Sequence, residues 1–283
     1  MIITGKIKKA RQICAKPRSK AKVVGFVPTM GALHKGHMSL VRRANKECDF
    51  LVVSIFVNPI QFGPDEDLAR YPRDFKNDEK VLKKAGVDLL FYPKPDSIYP
   101  KGFSTYVEEV NLSKMLCGKS RPGHFKGVCT VLTKLFNVIR PDIAYFGQKD
   151  YQQVQIVKRM VADLNYNIKI KTLPIIREKD NLAMSSRNSY LSLKERKESL
   201  CLYQALLVAE DLIKKGEQNP ATIKAKMQGV VKSKKTTKID YIEIVNAENL
   251  EKVNKIAGKI LIALAVYVGK TRLIDNIVLN VKK

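Results

Sequence analysis

The sequence predicts an α/β protein, in which a doubly wound parallel sheet is followed by a smaller α+β domain at the C-terminal end. Two observations carry this prediction. Up to residue 176, short apolar runs alternate with longer segments whose apolar residues recur at helical spacing. Beyond residue 176, two helical segments come first and three strand-like runs follow. We therefore expect one domain over residues 1–176 and a second over residues 177–283.

Strands and helices alternate regularly in the first of these domains. Its apolar runs predict strands at residues 23–27, 51–57, 87–92, 142–146 and 167–176. Amphipathic spacing predicts helices over about 37–47, 78–86, 128–139 and 151–164, with Gly86 ending the second. In parallel sheets of this kind, ligands bind where the carboxyl ends of strands lead into helices. A functional site is therefore expected in the loops that follow the strands.

The second domain has a different pattern. Residues 193–214 predict a long helix, and Pro220 opens a shorter one that ends near residue 231. Apolar runs predict three strands, at residues 240–245, 259–268 and 271–279. The segment VGKT, at residues 268–271, predicts a tight turn between the last two strands.

The formal net charge of +25 is the most unusual property of the composition. It is compatible with nucleic-acid binding, with an anionic membrane surface, with phosphate-rich small substrates, or with a solvated lysine-rich surface that has no such role. The lysines are spread along the chain, only 7% of the residues are aromatic, and no motif of a nucleic-acid-binding domain is visible. The solvated surface is the simplest interpretation, and we expect no specific nucleic-acid partner.

Cysteine usage and hydropathy indicate a soluble, cytoplasmic protein. The five cysteines form no CxxC pair, which suits reduced thiols better than a disulfide scaffold or a zinc site. The N-terminal residues contain no apolar signal core, and the longest apolar run, at residues 260–268, is too short to cross a bilayer. We expect no membrane partner.

The loop PTMGALHKGH, at residues 28–37, holds two of the three histidines in the chain. It lies between the first predicted strand and the first predicted helix, where backbone N–H groups and the helix dipole favour phosphate. His34 and His37 can donate hydrogen bonds to phosphoryl oxygens, and Gly31 and Gly36 permit a close approach of the backbone. The alternative is a glycine loop with two surface histidines. No Walker A motif is present, so a bound ATP would not lie in a P-loop.

Three further loops carry polar residues that suit an anionic substrate. Asn58 and Gln61 follow the second strand, and their amides can both donate and accept, although a turn-stabilising asparagine is the alternative. Lys149 can neutralise phosphate charge, and Asp150 can accept bonds from ribose hydroxyls or cap the next helix. Arg187 carries a permanent charge that matches pyrophosphate, but an ordinary surface arginine is the simpler interpretation of that residue alone.

Taken together, these loops resemble a known family. HxGH after a first strand is similar to the HIGH signature of the nucleotidylyltransferase superfamily. The ordered set PTMGALHKGH, FVNPIQFGPDED, RYPRDF, RPGHFKGV, FGQKDYQQ, AMSSRN, DYIEIV and TRLIDNI resembles the pantoate–β-alanine ligase (pantothenate synthetase) family. These segments run in order from about residue 20 to residue 279, so the resemblance covers nearly the whole chain. It implies a Rossmann-like sheet with a HIGH-type loop, and a C-terminal domain that closes over the active site.

The resemblance implies an ATP-dependent ligase of pantothenate and coenzyme A biosynthesis. In this family the carboxylate of (R)-pantoate attacks the α-phosphorus of ATP, which gives pantoyl adenylate and pyrophosphate. The amine of β-alanine then attacks the activated acyl carbon and releases AMP. The N-terminal domain would bind nucleotide and pantoate, Mg²⁺ would assist without ligands that the sequence can name, and the protein would be a homodimer.

The same resemblance assigns residues to the site. It points to His37 as the acid, with His34, Lys149 and Arg187 as the other catalytic residues. The residues implied for ATP are Met30, Gly31, His34, His37, Gly147, Gln148, Lys149, Asp150, Ile176, Met184, Ser185, Ser186 and Arg187. Those implied for pantoate or β-alanine are Asn58, Gln61, Tyr71, Arg121, His124 and Gln153, with ordinary packing as an alternative for Tyr71. Asn181 stands where many relatives are expected to have glycine, and asparagine tolerates a positive φ better than most residues.

Two other functions stay open on the sequence. A different HIGH-type nucleotidylyltransferase could transfer a nucleotide to another acceptor, although Gln61, Gln153 and the segment RPGHF argue against it. A nucleic-acid-binding protein is suggested by the charge alone, and such binding would weaken steeply with salt.

Overall fold

A six-stranded sheet organises the N-terminal part of the chain. The computed structural model describes residues 1–281. The strands are β1 (Ile2–Thr4), β2 (Val24–Thr29), β3 (Phe50–Ile55), β4 (Leu89–Phe91), β5 (Ile143–Gly147) and β6 (Lys169–Leu173). Their order across the sheet is β1-β4-β3-β2-β5-β6, and all neighbouring strands are parallel. The predicted parallel sheet is confirmed.

Helices cover both faces of this sheet. They are α1 (Ile7–Arg18), α2 (Lys35–Glu47), α3 (Phe75–Lys84), α4 (Pro95–Ile98), α5 (Cys117–Ser120), α6 (His124–Ile139) and α7 (Tyr151–Asp163). Successive residues of β2 point to opposite faces. Phe26 packs in one apolar cluster with Phe136 of α6, and Val27 packs in a second cluster with Val41 of α2. Burial on both faces explains why the strands have continuous apolar sequences.

The direction of winding reverses at β2. Its neighbours are β3 on one side and β5 on the other, so the chain builds outward to both edges of the sheet. The loops after β2 and β5 therefore diverge, and a crevice opens between them at the carboxyl ends of the strands. His34 and Lys149, from these two loops, line the same cleft.

A smaller antiparallel sheet follows in the C-terminal part. Its helices are α8 (Leu193–Glu198), α9 (Cys201–Lys214) and α10 (Pro220–Lys232), and its strands are β7 (Thr237–Asn246), β8 (Gly258–Val268) and β9 (Thr271–Val281). The strand order is β7-β8-β9, and Val268 pairs with Thr271 across the predicted tight turn. Leu202, Met227 and Ile262 belong to a separate apolar cluster between helices and sheet.

The sequence missed strand β1 and helices α1, α4 and α5, and several predicted boundaries differ from those of the structure. Strand β1 has only three residues and helix α1 buries only Ala10, Cys14 and Pro17, so neither leaves a strong pattern. The strand predicted to reach residue 176 ends at Leu173, because Pro174 has no N–H for the sheet. The long helix predicted over 193–214 is two helices, α8 and α9, that meet at Ser199 and Leu200.

The helices of the described residues were compared with the length and hydropathy that a membrane span requires. Within residues 1–281, no helix combines the length and the apolar character needed to cross a bilayer.

Candidate active site

The loop after β2 makes a turn that few sequences can form. Gly31 has φ 84° and Ala32 has φ 49°, two consecutive residues in the left-handed region. The Thr29 hydroxyl donates to the Ser54 carbonyl (2.8 Å) and accepts from the Gly31 amide (3.2 Å), which ties the turn to β3. A Cβ at Gly31 would lie 3.0 Å from Ile55 and 3.1 Å from Asp78, so the position is crowded as well as strained.

A buried carboxylate holds the far side of this turn. Asp78, on α3, accepts hydrogen bonds from the amides of Ala32 (2.8 Å) and Leu33 (2.7 Å). Its exposed fraction is 1%, and this burial raises the pKa of the carboxyl. Because the carboxylate receives two backbone N–H groups, it fixes the backbone just before the first histidine.

The two histidines are stacked at the start of α2. The ring centroids of His34 and His37 are 4.0 Å apart, with an angle of 27° between the planes. Nδ1 of His34 accepts from the Gly36 amide (3.1 Å), and Nδ1 of His37 accepts from the His34 amide (3.4 Å). Since Nδ1 is an acceptor in both neutral rings, each ring carries its proton on Nε2.

Both imidazoles are neutral at physiological pH. Burial, helped by the nearby Lys149 charge, lowers the pKa of His34 to about 4. Burial, the neighbouring His34 and Lys149 lower the pKa of His37 well below its ordinary value. The loop therefore offers two uncharged Nε2–H donors rather than two cations.

An amide network follows β3. Asn58 donates to Oε1 of Gln61 (3.0 Å) and to the Gly127 carbonyl (3.1 Å), and it accepts from the Tyr99 hydroxyl (2.7 Å). Asn58 is 1% exposed, so these contacts hold Gln61 in place. A Cβ on Gly127 would lie 2.6 to 2.8 Å from the backbone of Ile60 and Gln61, and only glycine lets α6 come this close.

Arg121 and His124 form a second polar cluster at the N-terminal end of α6. His124 donates from Nδ1 to the Gln61 carbonyl (2.8 Å) and accepts at Nε2 from Arg121 (3.1 Å). Burial and the Arg121 charge lower the pKa of His124 to about 3, so this ring is also neutral. Arg121 binds the Glu66 carboxylate through two nitrogens. The imidazole thus orients both Arg121 and the turn that contains Gln61.

The loop after β5 supplies a lysine and a carboxylate. Lys149 and Asp150 line the cleft, with Gln153 one turn further on in α7. Asp150 stands at the N-cap position of α7, yet its side chain makes no capping hydrogen bond. Its carboxylate is therefore available to the cleft, in contrast to the capping role that was the alternative.

The segment at residues 184–187, which follows the six-stranded sheet in the chain, also lines the cleft. The Ser186 hydroxyl donates to the Ala32 carbonyl (3.1 Å), which joins this segment to the loop after β2. Arg187 binds Asp67 through Nε and Nη2, both at 2.8 Å, and lies 5.5 Å above the Tyr71 ring. A guanidinium that binds a carboxylate through two nitrogens can bind two phosphate oxygens in the same way, if the carboxylate is displaced.

One cleft thus combines polar donors with an apolar wall. Lys149, Arg187 and Arg121 bring positive charge from three different loops, and Val131 and Leu135 of α6 supply apolar surface. A pocket of this kind can bind two anionic groups next to each other and keep water from the bond that forms between them.

Comparison with known proteins decides the family. A sequence model described as pantoate-beta-alanine ligase matches residues 2–278. The chain belongs to the pantoate–β-alanine ligase family. It is 54% identical over 281 residues to a pantothenate synthetase of Caldicellulosiruptor saccharolyticus, and the alignment covers 99% of this chain and 100% of that relative. It is 55% identical over 280 residues to the pantothenate synthetase of Thermotoga neapolitana, again with 99% of this chain and 100% of the relative covered.

Solved structures of pantoate–β-alanine ligases have the same fold. The pantothenate synthetase of Thermus thermophilus is 43% identical, has a TM-score of 0.94, and matches over 100% of both chains. The pantoate–β-alanine ligase of Francisella tularensis, in complex with beta-gamma ATP and beta-alanine, is 38% identical with a TM-score of 0.79, over 98% of this chain and 97% of that one.

Nearly all residues that the sequence predicted for this pantoate–β-alanine ligase family site line the one cleft. They are Met30, His34, His37, Asn58, Gln61, Tyr71, Arg121, His124, Gly147, Lys149, Asp150, Gln153, Ile176, Met184, Ser185, Ser186 and Arg187. Two others lie next to it instead. Gly31 shapes the turn, and the Gln148 side chain points to Asn276, with Nε2 donating to its Oδ1 at 3.3 Å. Asn181 has a φ of 72°, in the left-handed region that asparagine tolerates.

Sequence reasoning about this family member missed three carboxylates. Asp78 holds the loop after β2, Asp67 pairs with Arg187, and Glu66 pairs with Arg121. Asp67 and Glu66 lie in the quoted segment FVNPIQFGPDED, so the motif itself was the available signal. The apolar wall of α6 was also missed, because its spacing is that of any core-facing helix.

Proposed function

We propose that this protein condenses pantoate with β-alanine at the expense of ATP, through a pantoyl-adenylate intermediate. The observation that carries the proposal is the convergence of His34, His37, Lys149 and Arg187 on one cleft, in a chain that belongs to the pantoate–β-alanine ligase family. The Francisella tularensis relative, whose complex contains beta-gamma ATP and beta-alanine, supports the choice of these two ligands.

In the first half-reaction a carboxylate oxygen of pantoate attacks the α-phosphorus of ATP. The bond between that phosphorus and the bridging oxygen to the β-phosphate breaks, and pyrophosphate leaves with the electron pair. Both reactants are anions, so the residues of the cleft must offset their repulsion and hold them in line. Lys149 and Arg187 provide the charge for this, and Gln61 and Gln153 would hold pantoate.

His34 and His37 act as hydrogen-bond donors in this proposal. Their rings are neutral, so each presents one Nε2–H to the negative charge that develops on the departing pyrophosphate. Nδ1 of each ring accepts from a backbone amide, which keeps the proton on Nε2.

In the second half-reaction the amine of β-alanine attacks the acyl carbon of the adenylate. The ammonium group first loses a proton to solvent, and the neutral amine loses a second as the carbon–nitrogen bond forms; the bond from that carbon to the phosphate oxygen breaks, and AMP leaves. Arg121, held by His124 next to Gln61, is suited to a carboxylate at this end of the cleft.

Mg²⁺ is part of the proposal as a companion of the triphosphate. Within residues 1–281, no group of three or more histidine, cysteine or acidic side chains is arranged to hold a metal ion. Mg²⁺ commonly binds through phosphates, waters and one or two carboxylates, and Asp150 is the cleft carboxylate that could take part. The ion would neutralise phosphate charge.

The domain boundary and the oligomeric state are also proposed. Residues 1–176 would form the nucleotide- and pantoate-binding domain, and residues 177–283 would close over the cleft. A homodimer follows from the family resemblance, and the exposed apolar side chains of Tyr106 and Val110 would suit a surface covered by a second copy. Sedimentation equilibrium measures that state directly.

The direct test of the activity is exchange of labelled pyrophosphate into ATP, with Mg²⁺ and pantoate present and β-alanine absent. We expect exchange that requires pantoate and that falls by about 100-fold or more in His37→Ala. Lys35→Ala, at the exposed residue between the two histidines, is the matched control and should exchange like the wild type. No exchange from folded protein that still binds ATP would remove pantoate and leave another nucleotidylyl transfer as the function.

A further inference from the structure

Two adjacent polar residues on β9 lie buried beside the loops of the cleft. Asp275 and Asn276 have exposed fractions of 2% and 3%. They interrupt a strand whose neighbours, such as Leu273, pack in the apolar cluster of the C-terminal sheet. Burial of polar groups is unfavourable unless they are fully hydrogen-bonded, so their partners indicate what they do.

Asn276 holds the turn that carries Lys149. Its Nδ2 donates to the carbonyls of Gln148 and Lys149, both at 3.0 Å, and its Oδ1 accepts from Nε2 of Gln148 at 3.3 Å. All of these partners belong to the short turn that leads from β5 into α7. One side chain of the C-terminal sheet therefore fixes the backbone from which Lys149 extends into the cleft.

Asp275 holds the loop at residues 177–188, which carries Arg187. It binds Arg177 through both carboxylate oxygens, at 2.6 and 3.0 Å, and Arg177 also donates to the Asn181 carbonyl at 3.0 Å. Arg177 pairs with Ala183 across a small hairpin, immediately before the segment that contains Arg187. The guanidinium is further held 4.3 Å from the Tyr203 ring. Asp275 thus fixes the base of the loop that ends at Arg187.

We propose that Asp275 and Asn276 are positioning residues that align Lys149 and Arg187 for adenylyl transfer. The inference rests on the proposed function. Each residue acts on a different loop, and both loops are anchored to the same stretch of β9. The distance between the two cations is then set by one rigid strand, although they come from parts of the chain on either side of β6. Neither Asp275 nor Asn276 has to touch a substrate.

The test is a pair of double-mutant cycles on ATP affinity, measured by calorimetry. Asn276→Ala should weaken ATP binding in the wild type and have almost no further effect in Lys149→Ala, because Asn276 acts through that lysine. Asp275→Asn should in the same way lose its effect in Arg187→Ala. The crossed pair of Asn276→Ala with Arg187→Ala is the matched control and should be additive.

Steady-state rates give a second readout that a structural role alone would not move. In the pyrophosphate exchange assay, Asn276→Ala should lower the rate by about 10- to 100-fold and raise KM for ATP, with KM for pantoate changed less than about 2-fold. Leu273→Val, a buried substitution on the same strand but on the opposite face from Asn276, is the control for stability. If Asn276→Ala does not fold, Asn276→Ser, which keeps one donor, replaces it.

The outcomes distinguish failure of the positioning role of Asp275 and Asn276 from failure of the proposed function. Additive effects in the matched cycles, or a rate loss in Asn276→Ala no larger than in a Leu273→Val variant of equal melting temperature, would overturn the positioning role. Wild-type protein that shows no pantoate-dependent exchange would instead overturn the proposed function, and the ATP-binding cycles would still report on the two loops.

Discussion

Two loops of the cleft are fixed in different ways. The loop at residues 28–37 is held by backbone contacts, by two consecutive positive φ angles and by the buried carboxylate of Asp78. The loop at residues 177–188 is held by arginine side chains, with Arg177 bound to Asp275 and Arg187 bound to Asp67. The first loop is thus held through its backbone amides, whereas the second also depends on ion pairs between its arginine side chains and distant carboxylates.

The difference matters because the backbone of the loop at residues 28–37 does not need to rearrange when a phosphate binds. Arg187 does, since the Nε–Nη2 edge of its guanidinium is occupied by Asp67. The Asp275 pair is more buried, with 1% of its carboxylate side chain exposed against 10% for Asp67. Within the second loop, the pair at the base is therefore the fixed one and the pair near the tip is the exchangeable one.

The largest effect on the exchange rate is expected when the contacts between Asp78 and the loop at residues 28–37 are removed. Asp78→Ala removes the acceptor for the amides of Ala32 and Leu33, and leaves both half-buried N–H groups without that partner. Since the histidines follow directly, we expect the exchange rate to fall by about 100-fold, with little dependence on ionic strength. The measurement is the pyrophosphate exchange rate at low and high salt.

Asp74→Ala is the matched control for that substitution. Asp74 caps the same helix, α3, by accepting from the Asn77 amide at 3.2 Å, but it does not contact the loop. It should reduce the free energy of unfolding by about 1 kcal/mol and leave the exchange rate within a few-fold of the wild type. Equal losses of rate in the two variants would show that α3 stability, and not the loop, had been measured.

The same contrast explains what could be predicted from the sequence. Most strands, the histidine loop and many polar residues of the cleft could be predicted, because apolar runs and motifs are local signals, whereas the apolar wall that includes Val131 and Leu135 could not. Asp78 was missed because it contacts amides 45 and 46 positions earlier, and Asp67 because its arginine lies 120 positions later. A carboxylate in a helix or loop looks like any surface acid until the fold brings its partner to it.

Acid should disturb the first loop before the second. His34 has a pKa of about 4 in the folded protein, below the 6.5 of an ordinary histidine, so the unfolded chain binds more protons between these values. The free energy of unfolding therefore falls as pH drops from about 6.5 toward 4, by up to about 1.4 kcal/mol per pH unit for this residue. Arg187 lowers the pKa of Asp67 below 3.8, so that ion pair persists through this range and is lost only below it.

Urea unfolding between pH 7 and pH 4 measures this dependence. His34→Gln removes one of the groups that the unfolded chain protonates, so its stability should fall less steeply with acid than that of the wild type. His124, with a pKa of about 3, supplies a similar contribution that stays in both proteins. Identical slopes for the wild type and His34→Gln would mean that His34 binds its proton over the same pH range in the folded and unfolded states.

The smallest effect concerns the exchangeable pair. Asp67→Asn keeps the shape of the side chain but removes the charge that competes with phosphate for Arg187. We expect ATP to bind several-fold more tightly at low salt, a gain of about 1 kcal/mol, and the gain to shrink as salt screens the original pair. Glu66→Gln, the adjacent carboxylate on Arg121, is the matched control and should leave ATP affinity unchanged. Weaker ATP binding in Asp67→Asn would show instead that the carboxylate aims Arg187 at the triphosphate, and the loop at residues 177–188 would then be as fixed as the loop at residues 28–37.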